Sequence, residues 1–461
     1  MLMFLQQMPK GGDLHNHLVG AIYAETFIDL AARSGLCVDR VNSSFAPPPC
    51  GGEGKTVPAA TAFTDPGLYA QLIDAFSMRH FDAGRESGHD HFFATFPKFY
   101  PAAIGHTGEL LAEARAHAAR DHVQYLELMI TPEDGAPALG TKIGWDGKVN
   151  RTREKLLANG LSQSVAAARK EIDAAEAKSA DVLRCRSAQP EPGCNVTARF
   201  LYQVLRGLPP EQVFAQVLTG FELAKTDPRV VGLNLVMPED TYVPMRDFNL
   251  HMEMLDQLAQ IYPEVPITLH AGELTPQLVP PEGLFHIQAS IEKGHARRIG
   301  HGADVLYEPG PADLLKQMAA KKILVEICLT SNDEILGVRG DRHPFMEYLR
   351  AHVPLALATD DEGVSRSDMT QEFVRAAETY GLTYPQLKNL VRNSLEFSFL
   401  KGASLWQDPS YHQVVPSCAL HGEPGTAPAC EAFLRANQRA HEEWKLEQAF
   451  AVFEDAARAQ R

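Results

Sequence analysis

Gly12-Asp13-Leu14-His15-Asn16-His17-Leu18 is the stretch on which the reading of this chain turns. On a β-strand, side chains alternate between faces, so residues two apart point the same way. His15 and His17 then present two imidazoles to one point in space, which suits a metal ion. In isolation the pair reads only as two solvated loop histidines, and the rest of the sequence decides.

Outward from residues 12–18, short apolar runs recur at 123–129, 199–205, 230–236, 266–270, 298–301, 323–329 and 354–360. Helix-like stretches accompany them at 24–34 (stopped by Gly35), 68–81, 91–100, 161–180, 210–226, 369–380, 384–394 and 432–459. Eight apolar, β-branched runs alternating with helices predict an α/β chain folded as a parallel (β/α)8 TIM barrel. Pro, Gly and Ser mark 40–62 as an insertion loop, and 132–195 is a second insertion whose first part, 132–160, reads as loop. A helical extension is expected over 400–461, all within one domain spanning 1–461. The aromatic residues of 68–81 and 91–100 are read as packing residues, with a substrate lid as the sharper alternative.

The 461 residues, 45% apolar and 22% charged, are ordinary globular material with room for a large core. A formal net charge of −15 argues against sequence-independent nucleic-acid binding and against an anionic membrane surface as partner. No run approaches the ~20 apolar residues of a membrane span. The opening Met1-Leu2-Met3-Phe4-Leu5 is too short for a signal peptide's apolar region, leaving a mature form whose leader is gone or a cytoplasmic protein. Of seven cysteines, six form local pairs: Cys37/Cys50, Cys185/Cys194 and Cys418/Cys430. Disulfides closing loops of that size contribute roughly 3 kcal/mol each in the chain-entropy model. They favour a periplasmic or secreted protein, with reduced thiols in the cytoplasm as the alternative. Cys328, inside an apolar run, is expected to be a buried free thiol.

Gly51-Gly52-Glu53-Gly54-Lys55-Thr56 has the end of a phosphate-binding loop, but Pro49 stands where its first glycine belongs. There is no Pro-Cys-x-x-Cys, which excludes the zinc deaminases built on that motif. Asn42, Asn150 and Asn195 match the glycosylation pattern, which carries no meaning in a bacterial protein.

Polar residues gather at the ends of the predicted strands. His15 and His17 end the first, His270 ends the fifth ahead of Ala271-Gly272-Glu273, His301 ends the sixth, and Asp360-Asp361 ends the eighth. In such a barrel the carboxyl ends of the strands converge on one face, which carries the active site. His15, His17, His270 and Asp360 suit one Zn2+ or a similar divalent ion, whose chemistry is to lower the pKa of water to about 7. Glu273 is placed to donate a proton, His301 to take a proton or stabilise charge, and Asp361 to orient substrate. His89, His91, His251, His286 and His343 lack such a context and read as surface or structural.

Together these segments resemble the adenosine deaminase family of metal-dependent hydrolases. The matching stretches are residues 9–18, 125–128, 230–235, 269–273, 298–302, 325–332 and 359–361, in family order. The cysteine pairs and long loops look more like the secreted, growth-factor-type branch or a bacterial periplasmic relative. The resemblance implies zinc on His15, His17, His270 and Asp360, and deamination of adenosine to inosine plus ammonia. It implies that Glu273 protonates N1 of the purine, that His301 assists the water attacking C6, and that Asp361 bonds N7 or that water. Two departures bear on substrate. Where the cytosolic branch carries an Asp that holds the ribose 5′-hydroxyl, this chain has Val19. Where the family has a Gly against the purine, this chain has Met237-Pro238, bulkier and, at proline, without an N–H. Val19 and Met237 are therefore substrate-site candidates, with tolerance of 5′-altered adenosines expected. A purine nucleoside is the expected small-molecule partner, and the insertions remain open as a homodimer contact or a lid. Alternatives are a deaminase of adenine or another aminopurine, or a barrel metallohydrolase of amide or ester bonds. The last often carries a bridging lysine, and no lysine ends a central strand here.

Overall fold

The computed structural model describes residues 1–52, 55–420, 423–424 and 428–459. Glu53 and Gly54 of the 51–56 stretch, and residues 421–422, 425–427 and 460–461 of the extension, lie outside the described residues.

Eight parallel strands form the central sheet: β1 Gly11–His17, β2 Val123–Ile130, β3 Thr197–Leu205, β4 Val230–Val236, β5 Ile267–Ala271, β6 Ala296–His301, β7 Leu324–Ile327 and β8 Leu355–Leu357. They neighbour one another in chain order, the arrangement of a (β/α)8 barrel. The final seam is closed just past the end of β8. Asn16 bridges Asp360, His17 N–H donates to the Asp360 carbonyl (3.4 Å), and Asp360 N–H donates to the His15 carbonyl (2.9 Å). Buried Asp13 reinforces that seam by accepting from the Thr359 hydroxyl (2.5 Å) and the Asn16 amide (3.2 Å). The last joint of the barrel thus passes through residues that the sequence marks as metal ligands.

Residues 132–160 are not the expected loop. Helices Ala136–Ile143 and Val149–Ala158 occupy most of them. Their glycines and proline mark boundaries and packing instead. Pro137 sits in a first turn, where its missing N–H costs nothing. At Gly140 an added Cβ would stand 2.2 Å from the Glu211 carbonyl on the helix Pro210–Thr226. The 40–62 insertion is likewise structured. Strand Cys37–Asp39 pairs antiparallel with Ser44–Ala46 and Thr56–Pro58. The predicted helix at 432–459 is two, Pro428–Ala436 and Gln438–Ala459. Between them the Asn437 side chain accepts from Ala403 N–H (2.8 Å) and donates to the Phe433 carbonyl (2.8 Å). The helix Tyr242–Ile261 between β4 and β5 went unread, because its apolar positions are interrupted by charged and amide side chains.

Cys37–Cys50, Cys185–Cys194 and Cys418–Cys430 are disulfide-bonded, and Cys328 is free and buried. A thiol titration of the denatured, unreduced protein should find one reactive thiol; seven would refute the three bridges. No helix among the described residues is long and apolar enough to cross a membrane.

Candidate active site

β1, β5 and the turn after β8 bring four donors together. His15 Nε2 and His17 Nε2 each lie 3.1 Å from His270 Nε2, and Asp360 Oδ1 lies 3.5 and 3.4 Å from the first two. All four donors fall within 4.8 Å of one another. The outer nitrogen of each ring faces an oxygen that can only accept. His15 Nδ1–H donates to Glu326 Oε2 (2.7 Å), His17 Nδ1–H to Gln203 Oε1 (2.8 Å), and His270 Nδ1–H to Asn234 Oδ1 (3.0 Å). Those bonds aim the Nε2 of each ring inward and, in the neutral rings, leave it a bare lone pair. Three lone pairs and a carboxylate converging on one point repel one another unless a positive charge stands between them. The donor set therefore fits a divalent cation of the zinc type.

Burial drives His17 down to about 4 and His270 well below its ordinary range. Burial also opposes charge on His15, but Asp360 and Glu326 outweigh it and hold that ring up to about 10. The cluster demands positive charge while burial keeps most of its rings neutral.

Glu273 lies beyond His270, with its Oε1 3.7 Å from His301 Nε2. Burial, and repulsion from Asp360 and Glu239, push its carboxyl well above the usual range, which favours the protonated acid. Asp361 is raised in the same way by burial and by Asp360. Its Oδ1 is buried with no protein partner. A Cβ on Gly20 would stand 1.5 Å from that oxygen, so the turn after β1 must carry glycine there to leave Asp361 in place.

His301 is oriented by a relay that begins at the backbone. Phe345 N–H donates to His343 Nδ1 (3.1 Å), His343 Nε2–H to Asn332 Oδ1 (3.1 Å), and Asn332 Nδ2 to His301 Nδ1 (3.0 Å). Each step fixes the next, leaving His301 with its proton on Nε2, which is buried without a partner and faces Glu273. Burial also lowers this imidazole to about 3. His301 is thus a neutral ring presenting a hydrogen-bond donor.

The loop carrying Glu273 is held by Glu239, whose carboxylate accepts from Gly272 N–H (3.2 Å) and Glu273 N–H (2.9 Å) and also binds His286. His301, Asp360 and Met237 all adopt positive φ (67°, 59° and 91°). Such conformations cost non-glycine residues on the order of 1–3 kcal/mol and cluster at functional sites. At Met237 the carbonyl is gripped by both Nε (3.0 Å) and Nη2 (2.9 Å) of buried Arg206.

A cavity of about 420 Å3 opens from these groups, within the range of ligand sites. His17, His270, Glu273, His301, Asp360 and Asp361 line its inner end, and Val19 and Met237 also line it. Phe92, Phe93 and Phe96 of the helix Gly88–Phe99 form one wall. The same helix carries Phe99, which stacks on Phe27 (4.5 Å), so packing and lining roles alternate along it. Behind it the disulfide-stapled insertion packs Phe45 against Phe76.

Several functional positions escape the sequence reading. Glu326, Gln203 and Asn234 orient the rings, Glu239 and Arg206 hold loops, and His343, read as surface or structural, belongs to the His301 relay. His286 is also buried, against Glu239, and His89 pairs with Asp240 (3.0 Å). The available signal was a polar residue inside an apolar strand run, as at Asn234 and Glu326, where burial on both faces demands a partner.

A family model described as adenosine deaminase matches residues 107–404. The chain is 33% identical over 172 residues to an adenosine deaminase of Enterococcus faecalis, covering 37% of this chain and 46% of that one. In that match the chain spans about half of its curated relative's length. It is 27% identical over 408 residues to an aminodeoxyfutalosine deaminase of Streptomyces avermitilis, covering 87% and 89% of the two chains. The apo structure of the N6-methyl-AMP deaminase from Arabidopsis thaliana superposes with a TM-score of 0.56 at 22% identity, covering 87% of this chain and 95% of that one. With the family model spanning more than half of the residues, the chain belongs to the adenosine deaminase family of the metal-dependent hydrolase superfamily.

Proposed function

We propose that this protein is a zinc-dependent deaminase that converts adenosine, or an adenosine altered at its 5′ position, to the inosine form and ammonia. The observation that carries this reading is the convergence of three inward Nε2 atoms and the Asp360 carboxylate beside Glu273, a carboxyl that burial holds well above its usual range. In it, His15, His17, His270 and Asp360 hold the ion. Zinc there supplies Lewis acidity for water activation. Glu273 gives its proton to N1 of the ring as water adds to C6. His301 donates from Nε2 to the attacking oxygen and steadies its charge. Asp361, protonated through burial, donates to N7 and so sets the plane of the ring. Of the two protons that water brings, one goes to the C6 amino group, so that the C6–N bond breaks and ammonia leaves, and the other returns to the Glu273 carboxylate as the C6 hydroxyl becomes the carbonyl. The cavity continues well past these groups, which supports a nucleoside over a free base. Three disulfides support an oxidising compartment, periplasmic or extracellular.

The test is the ultraviolet absorbance change of adenosine with metal-loaded protein, before and after exhaustive chelation. Turnover should fall at least a hundredfold on chelation and return with added Zn2+. A rate indifferent to the chelator would remove the metal from the reading. No turnover of adenosine or its 5′-altered forms by loaded protein would remove the substrate.

A further inference from the structure

The chemistry at the inner end leaves the rest of the cavity for whatever the purine carries away from its amino group. Its outer walls are Val19, Phe93, Phe96, Tyr100, Ile104 and Met237. Ile104 and Tyr100 are 52% and 45% exposed, so the apolar surface runs out to the mouth. No lysine or arginine lines the cavity among the described residues, whereas Glu133 and Glu171 do.

One feature there ordinarily attracts anions: the N-terminus of the 14-residue helix Thr107–Arg120 opens at the cavity, where Thr107 is a lining residue. The chain's own carboxylate already stands at it. Glu171 accepts from the Thr107 hydroxyl (2.9 Å) through one oxygen and from Glu133 N–H (2.7 Å) through the other. A phosphate entering would lose water, meet no cation and face two carboxylates.

We infer that the site takes an uncharged purine nucleoside bearing an apolar group at the end remote from its amino group, and that Glu133 and Glu171 turn away phosphorylated nucleosides. This rests on the deaminase reading and names the substrate class within it. Met237 suits the assignment, since a thioether adapts its shape to an apolar partner. Its bulk is kept at a φ of 91° that glycine would adopt without strain.

The test is a comparison of kcat/KM for adenosine, 5′-deoxy-5′-(methylthio)adenosine, a longer 5′-alkylthio homologue and AMP on the metal-loaded full chain. The alkylthio nucleosides should match or exceed adenosine, and AMP should fall at least a hundredfold below it. Glu133→Gln should raise AMP relative to adenosine at least fivefold. A tenfold or greater loss on adding the alkylthio group, or AMP within tenfold of adenosine, overturns the inference. In either case turnover of adenosine itself leaves the deaminase reading standing, whereas inactivity toward the whole panel strikes that reading instead.

Discussion

Glu273→Gln should lower kcat by about 10²–10⁴-fold, the range that a positioned proton donor contributes, with zinc content unchanged. The amide matches the carboxylic acid in shape and can still donate a hydrogen bond, but it has no proton to transfer to the ring. Glu273 suits the role because burial, Asp360 and Glu239 all disfavour its charged form, so the acid is in place before substrate arrives. It offers no atom to the four-donor set, so metal analysis and rate should separate. If metal and turnover fall together, or if kcat falls less than tenfold, the proton-donor role is wrong.

Arg298→Met should destabilise the fold by about 3–5 kcal/mol, the cost of stranding buried charge. Arg298 lies inside the barrel, donating from Nη2 to Glu127 Oε2 (2.6 Å) and from Nε to Glu326 Oε1 (2.6 Å), with both carboxylates fully buried. Burial disfavours its charge, but the two carboxylates outweigh that and hold the guanidinium above its ordinary value. Glu326 is also the acceptor for His15 Nδ1–H. On the proposed function, the substitution should therefore loosen His15, a proposed metal ligand two contacts away, and weaken zinc affinity about 10–100-fold, as losses behind a ligand typically do. Denaturant unfolding and a competitive zinc titration read the two effects separately. Arg298→Lys, keeping one charge, should fall between wild type and Arg298→Met. A change below 1 kcal/mol in Arg298→Met would mean that the carboxylates find other partners.

The barrel is legible in the sequence because strands buried on both faces must be apolar along their whole length, so polar residues stand out where they end. His15, His17, His270, His301, Asp360 and Asp361 are visible for that reason. The groups that aim them are not. Gln203, Asn234 and Glu326 look like blemishes in apolar runs until folding sets each beside an imidazole from a distant strand. Asn332 and His343 are separated from His301 by a strand and a helix, and their order as a relay depends on hydrogen-bond direction, which spacing does not encode. The helices at 136–143 and 149–158 are hidden by glycines that serve as boundaries or as the contact with the Glu211 carbonyl. Met237 reads in sequence as added bulk, but its strained backbone and the Arg206 grip on its carbonyl exist only in three dimensions.

The Asn16–Asp360 joint makes the barrel a ring of staves whose last pair meets at the proposed ligands. On the reading above, a cation lodged there is a rivet as much as a reagent. Because it would grip the first stave and the turn after the last, its release would remove one tie across a joint that backbone hydrogen bonds and Asp13 also hold, and resistance to heat should rise with occupancy by mass action. Zinc supply would then govern how long the molecule survives, quite apart from how fast it works.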